Sequence, residues 1–113
     1  MNQRRQQRDV QFAVMDDRLV QTVTPRGGRP YVHRCTRGVF EAVCHALEAG
    51  RGGGATMETL AAAIDAPYTQ VNVALEFLKE RGCLETRLRR SYPASKVLFE
   101  DAMIEFLALA EGE

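Results

Sequence analysis

Hydrophobic positions along the chain change their period near residue 36, and that change divides the expected elements into an early β region and a helical remainder. Before it, the stretches VQFAVM (10–15), LVQTVT (19–24) and PYVHRC (30–35) are rich in β-branched and aromatic residues, the composition of short strands. Asp16-Asp17-Arg18 separates the first pair and Pro25-Arg26-Gly27-Gly28 the second. The second separator predicts a hairpin turn, because its glycines reach positive φ without steric penalty. Residues 10–15 have a competing reading as the start of a helix.

From Thr36 onward apolar residues recur at three-and-four spacing. Thr36 is placed to cap a first helix with Val39, Phe40, Val43, Cys44 and Leu47 on one side, and Gly50 stops it. Thr56 caps a short second helix whose stripe is Met57, Leu60, Ala61 and Ile64. The break Asp65-Ala66-Pro67 follows, and Pro67 suits the first turn of a third helix because its missing N–H is an orphan there anyway. That helix runs to Arg81, burying Val71, Leu75 and Leu78, and Gly82 ends it.

After Gly82 the pattern alternates again: Leu84, Thr86 and Leu88 point one way, Glu85, Arg87 and Arg89 the other. The turn is expected over Ser91-Tyr92-Pro93-Ala94-Ser95, with Lys96-Val97-Leu98-Phe99 as the returning strand. A last helix starts near Glu100, where acids suit a helix N-terminus, with Met103, Phe106, Leu107 and Ala110 as its apolar stripe.

Three helices, a β-hairpin and a closing helix in this order resemble the winged helix-turn-helix superfamily. The likeness is carried by TMETLAAAIDAPYTQVNVALEFLKERGCLETRLRR, with the exit Leu78-Lys79-Glu80-Arg81-Gly82 leading into the wing, and it covers residues 36–110. The implied fold is α+β: a three-helix core, a β-hairpin wing and a C-terminal helix, preceded by an N-terminal β-hairpin or meander. The domain division that follows is an arm over 1–8, an extension over 9–35 and a winged helix domain over 36–113, all in one compact domain.

The resemblance implies that the third helix enters a major groove and that the wing lies on phosphate or in a minor groove. The matching exposed positions are Tyr68, Thr69, Gln70, Asn72 and Val73. Gln and Asn can pair with an adenine edge, and Thr can reach a phosphate or a thymine methyl. A solvated polar helix face is the competing reading of the same residues. This face departs from strong DNA readers, since it has no arginine for guanine and carries Glu76. On the wing, Arg87, Arg89, Arg90 and Lys96 can each neutralise one phosphate, although charge on an exposed hairpin also guards against edge-to-edge pairing.

Charge distribution sharpens this choice. Of 113 residues with zero net charge, residues 1–37 hold eight arginines against three aspartates, and residues 86–96 hold four cations and no acid. Residues 38–85 and the tail from Val97 are acidic. Such blocks matter more for partner choice than the sum. The Gln/Arg-rich start has little to bury and is expected to be disordered up to about Arg8. MNQRRQQR lacks the apolar core of a signal peptide, and no apolar run approaches a membrane span. The three cysteines are widely spaced and odd in number, which fits reduced thiols. A soluble cytoplasmic protein is expected.

Other chemistry is weakly signalled. GRGGGAT (50–56) lacks the lysine of a phosphate cradle and follows a helix, so it reads as an interhelical loop. His33-x-Cys35 and Cys44-His45 match no usual zinc spacing, and no nucleophile motif is present. No enzyme activity, cofactor or metal is expected. The sequence therefore points to a small DNA-binding protein acting as a transcriptional regulator on double-stranded DNA. A homodimer through its C-terminal helix is expected, and no membrane partner. A winged-helix module that contacts protein without DNA is the alternative.

Overall fold

The early strands close on turns whose residues tolerate left-handed backbone. A computed structural model of the protein describes residues 8–112. Strand β1 (Arg8–Met15) turns back through Asp16 and Asp17, with φ of +53° and +62°, into β2 (Arg18–Pro25). Aspartate is among the few non-glycine residues that accept this conformation. Gly27, at φ +71°, turns β2 toward β3 (Tyr31–Thr36), and the Gly28 N–H donates to the Pro25 carbonyl at 3.1 Å. The sheet order is β1-β2-β3, antiparallel throughout. Residues 10–15 are thus strand, not helix, and Arg8 opens β1 opposite Pro25 instead of ending a disordered arm. The rest of that expected arm lies outside the described residues.

Opposed residues share a face of the sheet, so Phe12, Gln21 and His33 form one row and Val14, Leu19 and Cys35 the next. Gln21, Leu19 and Cys35 are fully buried, and this face is covered by helices.

Helix α1 (Arg37–Ala49) leaves β3 directly, with Thr36 Oγ1 accepting from the Val39 N–H as the N-cap. Helix α2 (Met57–Ile64) starts on a capping box between Thr56 and Thr59 and ends on Asp65 in the left-handed region. Helix α3 (Tyr68–Glu80) follows after Ala66, with Pro67 at its N-cap position, and α4 (Leu98–Ala110) closes the chain with Glu100 and Asp101 in its first turn.

The core is organised by three fully buried rings, Phe40, Phe77 and Phe106. Phe40 lies 5.8 Å from Phe77 and 5.1 Å from Phe106, and Phe12 of β1 meets Phe77 at 5.3 Å. Each such ring stabilises the fold by about 1.5–3 kcal/mol through burial. This line of rings joins α1, α3 and α4 to the N-terminal sheet, so the sheet shares one core with the helices. On α4 the buried stripe is Leu98, Ala102, Met103 and Phe106. Leu107 and Ala110, the rest of the expected apolar stripe, are exposed.

The late hairpin also differs from expectation. Strand β4 (Leu84–Arg87) returns as β5 (Arg90–Pro93) through the two-residue turn Leu88-Arg89, with Arg87 opposite Arg90. The chain therefore reverses before Ser91, and Lys96-Val97-Leu98-Phe99 are not a strand: Lys96 and Val97 connect to α4, and Leu98 and Phe99 are its first residues. The physical reason is a third partner. Ser91 exchanges both backbone hydrogen bonds with Ala55, at 2.8 and 2.9 Å, so residues 90–93 are held between β4 and the end of the glycine loop. The described residues form an α+β domain of four helices and two antiparallel sheets.

Candidate nucleic-acid interface

Two groups of residues are expected to meet a polyanion, and the fold treats them differently. On the late hairpin, Glu85, Arg87, Arg90 and Tyr92 share one face, since Glu85 opposes Tyr92 and Arg87 opposes Arg90. The Arg87 guanidinium stacks over the Tyr92 ring at 4.1 Å, a cation–π contact. Arg90 donates from Nη2 to the Gly54 carbonyl at 3.1 Å. Arg89 stands at the turn, exposed, with no hydrogen bond or ion pair among the described residues. None of the three pairs with a carboxylate among the described residues. Their charge remains available while two of them are held in place by neutral groups.

Gly54 is what seats the hairpin. Its φ is +76°, and a Cβ there would lie 2.6 Å from Cε2 of Tyr92. Only a residue without a side chain lets the ring lie so close to the loop backbone. The stretch GRGGGAT is thus an interhelical loop that anchors the hairpin, since Gly54 admits Tyr92, its carbonyl holds Arg90, and Ala55 pairs with β5.

Lys96 is separated from this group. It is exposed in the connection between β5 and α4, where it lines a cleft of ≈ 510 Å³ with Glu48, Arg51, Pro93 and Ser95. The expected set of four wing cations is therefore three on the hairpin and one beside it.

The α3 residues are also divided. Tyr68 is 56% exposed and Thr69 is exposed, so the first turn of α3 faces solvent. Gln70 is engaged: its Oε1 accepts from the Thr36 N–H at 3.0 Å, at the junction of β3 and α1. Asn72 Nδ2 donates to Glu76 Oε2 at 3.4 Å. Glu76 in turn accepts from Gln21 Nε2 and lies 3.6 Å from Arg8. Val73, expected on the exposed face, is fully buried. The cause is the N-terminal sheet, which packs along α3 and covers much of the side that a bare helix-turn-helix leaves open.

Sequence reasoning missed the parts played here by Tyr92, Gly54 and Leu88. Tyr92 and Gly54 carried the signal of an aromatic and a glycine loop, but their meeting depends on tertiary pairing. Leu88 and Arg89, neither of them a usual turn residue, concealed the reversal of the hairpin.

The cysteines are buried and unpaired. Burial pushes the thiols of Cys35 and Cys44 up to about 12, and that of Cys83 also upward, so they stay neutral and poorly nucleophilic. Among the described residues no cluster of three or more His, Cys, Asp or Glu is placed to hold a metal ion, and no helix is long and apolar enough to cross a membrane. Comparison with protein-family models, with curated proteins and with solved structures finds no match to the chain.

Proposed function

We propose that the chain is a small winged-helix DNA-binding protein acting in transcriptional regulation. In this reading α1, α2 and α3 are the trihelical core, α2 and α3 the helix-turn-helix, and β4–β5 with Ala55 the wing. The observation that carries it is the hairpin: Arg87, Arg89 and Arg90 sit together on a two-stranded ribbon without a carboxylate partner among the described residues. Such a ribbon neutralises phosphates and releases counterions.

Engagement of Gln70 and Asn72 within the fold leaves Tyr68 and Thr69 as the open part of α3, so the hairpin supplies most of the affinity and base-edge readout is slight. The chain acts as a binding protein and not as an enzyme. Fluorescence anisotropy with duplex DNA at low salt tests this. Wild type should bind, and a variant with Arg87, Arg89 and Arg90 all changed to Ala should lose most of that affinity. No binding, or binding indifferent to the three changes, would overturn it.

One observation favours a second reading, a winged-helix module that contacts protein. The N-terminal sheet already occupies the α3 surface that would enter a groove, through Gln70 and Glu76. Copurification of a stoichiometric protein partner that survives nuclease treatment, together with absent DNA binding, would favour it.

A further inference from the structure

The hairpin tip combines features that the fold itself does not require. Leu88 is 94% exposed, the most exposed large apolar side chain among the described residues. It also holds φ of +50°, where a Cβ crowds the neighbouring carbonyl and which glycine, asparagine and aspartate tolerate better. The β1–β2 turn meets the same demand with Asp16 and Asp17. At the late hairpin the position is filled by an aliphatic residue instead, with arginines on both sides. A leucine here is unfavourable both for its backbone and for its hydration. Strain retained in this way points to a role outside the folded monomer.

We propose that Leu88 is an apolar wedge that enters the minor groove of duplex DNA, separates one base step and kinks the duplex. This rests on the DNA-binding reading above and divides the work at the tip, with the arginines holding phosphates while Leu88 deforms the helix. A two-residue turn is the narrowest end of a hairpin, which suits a groove about 6 Å wide. Apolar side chains inserted between bases kink DNA toward the major groove and bring more of its backbone onto the protein. The step that opens most easily is pyrimidine–purine, so TA and CA/TG steps are the favoured sites. The wedge thereby gives a sequence preference without a base-edge hydrogen bond, which fits an α3 whose amides are engaged elsewhere. An anionic membrane could also accept an apolar tip among arginines, but one leucine offers a bilayer much less than the apolar face of an amphipathic helix.

The test separates binding from bending. A short duplex with one central TA step carries dyes at its ends for energy transfer, and a second carries 2-aminopurine at that step. Binding is followed independently by anisotropy. Leu88→Asn keeps a side chain suited to the turn and leaves every arginine in place. Wild type should bring the duplex ends closer and raise 2-aminopurine fluorescence. Leu88→Asn should give neither signal, while binding within about tenfold of wild type because the phosphate contacts persist. Wild-type binding without a bend, or an equal bend with Leu88→Asn, would overturn the wedge and leave the DNA-binding reading standing. Absence of DNA binding by wild type would overturn both. Leu88-dependent binding to phosphatidylserine vesicles in place of DNA would assign the tip to a membrane surface and equally overturn the wedge.

Discussion

Arg87 lays its guanidinium over the ring of Tyr92, 4.1 Å from the centroid, and the same ring closes on the backbone of Gly54. Of the hairpin cations, Arg87 is therefore positioned by a tyrosine seated on a glycine loop and Arg90 by the carbonyl of that loop, so the loop supports the proposed interface as much as the strands do.

Gly54→Ala should destabilise the protein by about 1–3 kcal/mol, the combined effect of left-handed strain and overpacking against Tyr92. Urea unfolding measures it. In a Tyr92→Leu background the packing part of the loss should shrink while the backbone part remains, so the two changes should be non-additive. An additive pair would mean that the ring does not rest on the loop.

Glu76 anchors the N-terminal sheet to α3. Gln21 is 1% exposed and its amide donates to Glu76, so Glu76→Ala should leave a buried donor unsatisfied and cost about 1–3 kcal/mol. Glu76→Gln keeps an acceptor and should retain most of that stability. Equal losses in the two variants by urea unfolding would contradict this account of the sheet's attachment.

The buried thiols predict an alkaline limit. Cys35 and Cys44 rise from an ordinary 9.0 to about 12 through burial. Between those values the unfolded chain has lost protons that the folded chain still holds, so stability is fully present below about pH 9 and falls as pH rises toward 12. Each thiol contributes at most about 1.4 kcal/mol per pH unit to that slope. Thermal unfolding across this range should show a falling midpoint, with a shallower fall for Cys35→Ala; an unchanged profile would contradict it.

The helices were legible because each carries a local signal. Thr36 and Thr56 cap, Gly50 and Gly82 terminate, and Phe40, Val43, Cys44 and Leu47 repeat at helical spacing. The strands around Asp16-Asp17 and Gly27-Gly28 were legible for the same reason. The late reversal was not, because Leu88-Arg89 carries no turn signature and the pairing of Ser91 with Ala55 depends on residues far apart in the chain. The burial of Val73 and the engagement of Gln70 were equally hidden. A helix face read in isolation gives no sign that a preceding sheet folds back onto it.

If the hairpin arginines meet phosphate as proposed, duplex binding must weaken with salt. With three contacts, log affinity should fall against log salt with a slope of about −2.7. Arg89→Ala removes a side chain that has no partner among the described residues and should reduce that slope to about −1.8 without loss of stability. A wild-type slope near zero, or one that Arg89→Ala leaves unchanged, would contradict the account.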